Sequence, residues 1–389
     1  RPPPATRHPQ VPGFKGQLSV KKFGVGQSNP TYLLTSSSGQ KYVMRKQPPG
    51  KHDKGAHAVD REAKVIDALG SKECGFPVPQ VYSLCNDPDV LGGMFYVMSF
   101  EQGRIFDNAL ESAPPGDRTG MMNEIVRTLA KLHGQDIAKL GLADYGKNGG
   151  FYERQIKTSK NALPLSALSL SLLTPLHTSL ALTAKPLLPP PHSRPRAVTR
   201  TTKAQVEVAG GKVPPIPRLD ELLAWFGSNM PEDRSTIMHG DYKPDNVVFS
   251  PDSNEVIAVL DWELSTLGHP LADLANICLP YYFKPGGFYP SFEKIKYEGI
   301  PDEQVLLKAY ADATGIPYPI KSWHFFMAFC MFRLSVIIQG IAARSERGLA
   351  SSESASLLAD TLPTILDGFS RMWWGVIDKA EGKAEASKL

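Results

Sequence analysis

The chain has 389 residues, which is too long for a single small module. Of these residues 42% are hydrophobic and 21% are charged, a composition that excludes wholesale disorder. The formal net charge of +4 comes from one stretch, residues 154–206, which holds eight basic residues and no acidic one. Without those eight, 35 basic residues face 39 acidic ones, so the rest of the chain is mildly acidic. We therefore expect no nucleic-acid partner.

The first hundred residues predict a mainly antiparallel sheet with one helix. The predicted strands lie within 14–34 and at 41–45, 77–82 and 94–98, and the predicted helix lies at 57–69. In that helix Glu62 falls on the same face as the apolar residues Val59, Ile66 and Leu69. A carboxylate on a buried face needs a partner, so this position predicts an ion pair.

After Gly103 the apolar residues recur at helical spacing, and the chain from Pro301 onward is dominated by predicted helices. The run 322–343 is apolar nearly all round. Because Trp323 and Arg333 interrupt it, we expect a core helix and no stable membrane insertion. Together these elements predict an α+β fold of two lobes, a small sheet-rich lobe and a larger helical lobe.

The stretch 157–217 fits neither lobe, because it is rich in Leu, Ser, Thr and Pro and has little usable periodicity. A sequence of this kind is not expected to fold alone. We interpret it as a low-complexity insertion, either a true part of the protein or translated non-coding sequence.

The most informative run is 237–263, in which two apolar strands flank a polar loop. The loop carries Asp241, Lys243 and Asn246, and the second strand ends at Asp261, so a hairpin can bring these side chains together. Phosphoryl transfer needs such a set. An aspartate accepts the proton of the attacking hydroxyl, while an asparagine and a second aspartate hold Mg²⁺ against the nucleotide phosphates.

The pattern H-G-D-x-x-x-x-N, followed fifteen residues later by an aspartate, resembles that of the aminoglycoside phosphotransferase-like kinases. Four further runs look like the kinase-like domain of acyl-CoA dehydrogenase family members ten and eleven: Ser28–Thr31, Phe95–Met98, Gln102–Phe106 and Val259–Leu271. The resemblance covers roughly residues 13–155 and 219–375, and nothing in the chain resembles the dehydrogenase half. It implies a two-lobed protein-kinase-like fold.

Carried onto this chain, the resemblance implies that Asp241 is the catalytic base and that Lys243 contacts the phosphates. It implies that Asn246 and Asp261 are the Mg²⁺ ligands. His239 is interpreted as a structural hydrogen-bonding residue of the loop rather than a base.

In the sheet-rich lobe, Arg45 stands where kinases place the strand lysine that binds the phosphates. Glu62 stands where their helix glutamate pairs with that lysine, which would supply the partner that a buried carboxylate needs. Lys46 remains a rival for Arg45, because strand alternation sends the two side chains to opposite faces and the register is open.

The other implied nucleotide contacts are Gly24, Gly26 and Ser28 in the turn between the first two strands, and Met98 and Phe100 where the lobes meet. The third glycine of G-x-G-x-x-G is replaced by Asn29, so the pattern by itself also fits an ordinary hairpin turn. Ser99 stands where the relatives usually show an acidic residue, which leaves the choice of nucleotide open.

Four residues beyond this set are also candidates for roles near the site. Asp273 is interpreted as a brace that holds the catalytic loop from the following helix. Tyr281, Tyr282 and Trp323 are candidate acceptor contacts, although aromatic residues of a helical lobe more often belong to the core.

These features predict an ATP- and Mg²⁺-dependent kinase that phosphorylates a hydroxyl group of a small molecule. The resemblance and the Ser387-Lys388-Leu389 end together suggest a hydroxyacyl-CoA as the acceptor. The alternatives are an aminoglycoside- or choline-type kinase of the same superfamily, and a catalytically inactive pseudokinase or scaffold that binds nucleotide. The intact Asp241, Asn246 and Asp261 argue against the inactive form.

The terminal tripeptide S-K-L is the signal read by the peroxisomal import receptor, so we expect that partner and a peroxisomal location, with a cytoplasmic one as the alternative. The predicted domains are a tail at 1–12, a nucleotide-binding lobe at 13–100, a catalytic and acceptor lobe at 101–156 and 218–378, the insertion at 157–217 and a tail at 379–389.

Overall fold

The computed structural model describes residues 11, 14, 16–23, 29–48, 59–160, 206, 210, 212–287, 289–293, 298–346 and 353–383. Gly24, Gly26 and Ser28 lie outside the described residues, as do most of the predicted insertion and the S-K-L end. The predictions made for them stay predictions, as do the domain boundaries.

The described strands are β1 (Leu18–Lys22), β2 (Thr31–Ser36), β3 (Lys41–Lys46), β4 (Val81–Cys85), β5 (Phe95–Ser99), β6 (Thr236–Met238), β7 (Val247–Phe249), β8 (Val256–Val259) and β9 (Thr266–Gly268). The described helices are α1 (Val59–Leu69), α2 (Pro88–Leu91), α3 (Pro115–His133), α4 (Phe151–Lys160), α5 (Leu219–Ser228), α6 (Leu271–Cys278), α7 (Glu303–Thr314), α8 (Trp323–Glu346) and α9 (Glu353–Ala380).

The described residues fall into two compact units. The first contains those up to Asn148 together with Ser235–Pro319, and the second contains those of Gly149–Arg234 and those from Ile320 onward. All the predicted nucleotide, metal and catalytic residues that the structure describes belong to the first unit.

A five-stranded antiparallel sheet in the order β1-β2-β3-β5-β4 opens the first unit. In the β3–β5 pair, Val43 lies opposite Met98 and Arg45 lies opposite Tyr96. These residues share one face of the sheet because side chains alternate along a strand. That face is buried, and it carries the arginine that meets helix α1.

The strand predicted over 77–82 begins later, at Val81. Pro77 and Pro79 lack the backbone N–H that a ladder requires, so the pairing starts only after them. The carbonyl oxygen of Pro77 instead accepts a hydrogen bond of 2.9 Å from the amide of Val259, at the end of β8. The proline pair therefore joins the sheet to the hairpin that carries the site.

Two small antiparallel pairs, β7–β8 and β6–β9, follow in the chain and frame the polar loop. Helix α3 packs against α7, α6 and β6 and buries Met122, Ile125 and Leu129. The polar loop packs on this helix, because Tyr242 of the loop donates a hydrogen bond of 3.0 Å to the carbonyl oxygen of Ile125.

The second unit is helical and has an aromatic core. Tyr152 of α4 packs edge to face on Phe325 and Phe329 of α8, and Phe226 of α5 packs on both. The end of the predicted insertion is packed here too: Val213 and Ile216 are buried.

Among the described residues, α8 is the one helix long and apolar enough to cross a membrane, judged by length and composition. Its most apolar window is 89% buried inside the structure. Such burial is typical of a core helix, and the absence of stable membrane insertion stays a prediction.

Candidate active site

The polar loop and the β7–β8 hairpin bring the three predicted catalytic and metal residues to one place. The side-chain amide of Asn246 donates to Asp241 twice, to the carboxylate Oδ2 at 3.2 Å and to the backbone oxygen at 2.9 Å. The backbone oxygen of Asn246 accepts from the amide of Leu260 at 2.8 Å. Asp261, the next residue, therefore lies at the same end of the hairpin.

Two unusual backbone conformations shape this end of the hairpin. Asp261 has φ of +64°, in the left-handed region that side chains other than glycine rarely adopt. Gly240 has φ of +85°, and a Cβ atom there would lie 2.5 Å from the carbonyl oxygen of Leu264. Glycine is therefore required at 240, while the strained Asp261 is of the kind that clusters at functional sites.

Arg45 connects the sheet to this loop. Its Nη1 lies 2.5 Å from Glu62 Oε1 and 2.9 Å from Asp261 Oδ1, and its Nη2 lies 3.5 Å from Glu263 Oε2. The structure thus resolves the rivalry with Lys46, because Arg45 is the residue whose side chain meets Glu62. Burial lowers the pKa of Arg45, but Glu62 and Asp261 raise it by more, so the guanidinium stays charged.

The pKa values of the two main carboxylates around Arg45 are shifted in opposite directions. Burial raises the pKa of Glu62 to about 7, although the charge of Arg45 lowers it. Burial also raises the pKa of Asp261, but the charge and hydrogen bond of Arg45 outweigh this and hold that pKa below its usual value. Asp261 is therefore held in its ionised form, with Oδ1 accepting a hydrogen bond of 2.9 Å from Arg45 Nη1.

Lys243 is a second buried cation, with a side chain that is 0% exposed. Its Nζ lies 3.4 Å from Asp241 Oδ2 and 3.3 Å from Asp245 Oδ2. Burial lowers the pKa of Lys243, but Asp241 and Asp245 raise it by more, so the ammonium stays charged. Burial raises the pKa of Asp245 to about 6. The positive charge is held directly beside the predicted base.

The hydrogen bonds of His239 leave it no free nitrogen. The carbonyl oxygen of Leu260, 2.8 Å from Nε2, can only accept, so Nε2 carries the proton. Nδ1 then accepts from the amide of Asp241 at 3.2 Å. A ring with both nitrogens engaged holds the loop and does not serve as a base for substrate.

Asp273 of α6 binds the backbone of the same loop. Its two carboxylate oxygens accept from the amides of His239 at 2.6 Å and Gly240 at 2.8 Å. Burial raises the pKa of Asp273, but the hydrogen bonds from His133 and Gly240 lower it by more, so it lies below its usual value. This geometry is that of a brace for the catalytic loop.

The end of β5 holds the residues expected to meet the adenine. Met98 is buried within the strand, and Phe100 follows it with the Lys41 ammonium 5.3 Å from its ring centroid. The hydroxyl of Ser99 accepts from the amide of Gln80 at 2.8 Å and donates to the carboxylate of Glu101. An acidic group thus lies beside Ser99 after all, two residues further along the chain.

The hydroxyls of the two candidate acceptor tyrosines donate to partners outside this loop. Tyr281 donates to the carbonyl oxygen of Pro301 at 2.5 Å, and Tyr282 donates to Glu303 at 2.9 Å. Trp323 begins helix α8, which belongs to the second unit.

The contact between Asn29 and Glu263 is not predicted by the sequence. The amide of Asn29 donates to Glu263 Oε2 at 3.3 Å, the same atom that Arg45 approaches. The two residues are 234 positions apart, so no local spacing signals their pairing.

The residues present fit a nucleotide with a divalent cation. Buried polar atoms without a hydrogen-bond partner in the described part of the chain include Asn29 Oδ1, Arg45 Nε and Asp245 Oδ1. Such atoms are uncommon in native proteins and suit a polar ligand. Among the described residues, no three His, Cys, Asp or Glu side chains are grouped so that they could hold a metal ion by themselves. A cation at Asn246 and Asp261 would therefore need further ligands, such as phosphate oxygens and water.

Comparison with known proteins gives the family. The phosphotransferase enzyme family model matches residues 19–294. The curated relatives include acyl-CoA dehydrogenase family members 10 and 11; member 11 of Rattus norvegicus is 37% identical over 368 residues, covering 92% of this chain and 41% of the relative. The chain therefore spans about two fifths of the length of that relative.

Solved structures give the fold. A protein of Ralstonia eutropha, named as a candidate aminoglycoside phosphotransferase, is 35% identical with a TM-score of 0.71, covering 95% of each chain. A thermostable mutant of aminoglycoside phosphotransferase APH(4)-Ia, solved with AMP-PNP and hygromycin B, is 15% identical with a TM-score of 0.51, covering 92% of this chain and 95% of its own. The α+β kinase-like fold and the predicted resemblance are both confirmed, and the chain belongs to the phosphotransferase enzyme family.

Proposed function

We propose that this phosphotransferase is an ATP- and Mg²⁺-dependent kinase that transfers the γ-phosphoryl group to a hydroxyl group of a small molecule. The observation that supports this most is the hydrogen bond of 3.2 Å between Asn246 and Asp241, at the hairpin end that also carries Asp261. The fold neighbour APH(4)-Ia was solved with AMP-PNP, which supports a nucleoside triphosphate as the donor.

In this proposal Asp241 accepts the proton of the acceptor hydroxyl as its oxygen forms a bond to the γ-phosphorus. The bond from that phosphorus to the ADP oxygen breaks at the same time, and ADP leaves. Asn246 and Asp261 would hold Mg²⁺, which neutralises the charge that develops on the phosphate oxygens.

Two cations of the chain itself add to that neutralisation. Arg45 and Lys243 remain charged in their buried positions and are the side chains proposed to contact the phosphates. Each is held by carboxylates from both sides, which fixes its place before the nucleotide arrives. Fixed charges of this kind stabilise a transition state without reorganisation.

For the acceptor we propose a hydroxyacyl-CoA. The support is the name of the curated relatives, which are acyl-CoA dehydrogenase family members and match this chain over about two fifths of the rat relative's length. An aminoglycoside or choline acceptor is the competing proposal, since the Ralstonia neighbour is named for aminoglycosides.

The experiment is an assay of ADP release by the purified protein with hydroxyacyl-CoAs, aminoglycosides and choline, with mass spectrometry of each product. We expect a phosphate ester of a hydroxyacyl-CoA, and release that requires Mg²⁺. A phosphorylated aminoglycoside or choline would replace the proposed acceptor. ATP binding without ADP release in the presence of any of these acceptors would favour the inactive scaffold that binds nucleotide. Absence of ATP binding would contradict both the kinase and that scaffold.

A further inference from the structure

The run Gln102–Phe106, which follows β5, contains an arginine with an unusual set of partners. Its backbone joins the β7–β8 hairpin: the amide of Arg104 donates to the oxygen of Phe249 at 2.8 Å, and the amide of Phe249 donates back at 2.8 Å. Gly103 allows this approach, since a Cβ atom there would lie 2.3 Å from the oxygen of Phe249. The linker after β5 is therefore pressed against the hairpin that carries the candidate site.

The guanidinium of Arg104 closes the tip of the same hairpin. Nε donates to the oxygen of Ser250 at 2.9 Å, and Nη2 donates to the oxygen of Ser253 at 2.6 Å and to Asn254 Oδ1 at 3.3 Å. Nη1 lies 3.2 Å from Asp117 Oδ2, on helix α3. All three nitrogens are thus engaged, and the group ties linker, hairpin tip and helix to one point.

The two strands held at the tip are the ones that carry the candidate metal ligands at the other end. Val247 pairs with Val259, Asn246 precedes β7, and Asp261 follows β8 by two residues. A three-residue strand spans only about 10 Å, so a tilt at the tip is transmitted to the ligand end. The hydrogen bond from Leu260 to Asn246 closes that end and reports on its order.

We propose that Arg104 is a positioning residue, which sets the β7–β8 hairpin so that Asn246 and Asp261 face one nucleotide-bound cation. The part that concerns the cation rests on the proposed function, whereas the part that concerns the order of the hairpin does not. An arginine suits this place because its planar fork donates to four acceptors at once, which the single ammonium of lysine does not match.

The test compares Arg104→Met and Arg104→Lys with wild type and with a control, Arg371→Met. Arg371 also pairs with an aspartate, Asp367 at 2.6 Å, but both side chains are exposed and belong to helix α9 of the second unit. Two readouts are taken on the full chain: hydrogen exchange of the Leu260 amide, and AMP-PNP affinity with and without Mg²⁺.

For Arg104→Met we expect Leu260 exchange to accelerate about tenfold and the gain in AMP-PNP affinity from Mg²⁺ to fall about tenfold. Affinity without Mg²⁺ should change less than about twofold, because the base and the sheet are untouched. Arg104→Lys should fall between Arg104→Met and wild type, and Arg371→Met should match wild type in both readouts.

Unchanged Leu260 exchange in Arg104→Met would overturn the proposal, as would an equal loss of affinity with and without Mg²⁺, which marks a merely structural role. If Arg104→Met does not fold, Asn254→Ala removes one of the four contacts and is judged by the same readouts, with an expected change of about threefold. If wild type gains nothing from Mg²⁺, the proposed function fails, and Leu260 exchange still decides whether Arg104 orders the hairpin.

Discussion

Two buried cations of the first unit, Lys243 and Arg45, each pair with carboxylates of the candidate site, but their partners come from different parts of the chain. Lys243 takes both carboxylate partners from its own loop, Asp241 and Asp245, each two residues away. Arg45 takes its partners from positions 17 and 216 residues away, Glu62 on α1 and Asp261 after β8. The first cluster is a property of a short stretch of sequence, and the second exists only once the sheet, the helix and the hairpin have packed.

The difference shows which parts of the site hold it together across the fold. Loss of Lys243 disturbs one loop, whereas loss of Arg45 releases three elements at once. Substitutions at the two positions should therefore differ in what they damage, and the expected effects run from catalysis to stability.

The largest effect should follow Asp241→Asn, beside Lys243. The amide cannot take the proton of the acceptor hydroxyl, so turnover should fall on the order of 10³-fold. The measurement is kcat of ADP release with the acceptor that the panel identifies. The exposed Asp312→Asn serves as the control and should keep full activity, and turnover that survives Asp241→Asn would remove this residue as the base.

The free energies of unfolding of Arg45→Met and Lys243→Met show which of the two buried cations stabilises the fold more. Arg45→Met leaves Glu62, Asp261 and Glu263 without their counter-charge, and Lys243→Met leaves two carboxylates in the same state. Breaking a buried pair in this way costs about 3–5 kcal/mol of unfolding free energy, and Arg45→Met should lie at the upper end. Urea unfolding measures both values.

Lys46→Met is the matched control for the arginine, since it removes a neighbouring cation that faces the other side of β3. It should change the free energy of unfolding by no more than about 0.5 kcal/mol. A larger loss for Lys46→Met than for Arg45→Met would reverse the register of β3 on which the description of the site depends.

A smaller effect should follow Arg45→Lys, which keeps the positive charge but replaces the planar guanidinium, with its two terminal nitrogens, by a single ammonium. One ammonium cannot replace contacts made through two nitrogens, so unfolding should become easier by about 1.5–3 kcal/mol. Lys243 approaches both of its partners with a single nitrogen, so its contacts do not depend on the shape of a guanidinium. A cost-free Arg45→Lys would show that the two cations are equivalent after all.

The smallest effect concerns Asp273, whose partners in the described part of the chain are backbone amides and a histidine. Asp273→Asn places an amide nitrogen against one of two buried N–H groups and should cost about 1–3 kcal/mol at pH 7. Because the folded-state pKa of Asp273 is lowered, its contribution is present above the unfolded value of about 3.9 and is lost as the pH falls through the folded value. The difference in unfolding free energy between wild type and Asp273→Asn should therefore become smaller below about pH 4. A difference that becomes larger there would contradict the lowered pKa of Asp273.

Much of the site was predictable because its signals are local. The spacing of Asp241, Lys243 and Asn246 lies within six residues, and the hairpin leads directly to Asp261. The helical spacing that put Glu62 on a buried face likewise predicted a partner, and Arg45 is that partner.

The rest depends on register and on contacts between distant segments. Strand alternation left Arg45 and Lys46 as rivals until the β3–β5 pairing was known. Glu263 and Asn29 meet across 234 positions. Two of the four acceptors of Arg104 are backbone carbonyl oxygens, which carry no signal in the sequence. Val213 and Ile216 looked like part of a low-complexity run, yet they are buried in the second unit, because burial of single apolar residues needs no periodicity.

A crystal structure of the protein with AMP-PNP and Mg²⁺ tests the proposed nucleotide and metal site most directly. We predict a Mg²⁺ ion about 2.1 Å from oxygens of both Asn246 and Asp261, bridged to the nucleotide phosphates, with the γ-phosphate facing Asp241. A nucleotide bound away from the β7–β8 hairpin, or a cation that contacts neither Asn246 nor Asp261, would contradict it.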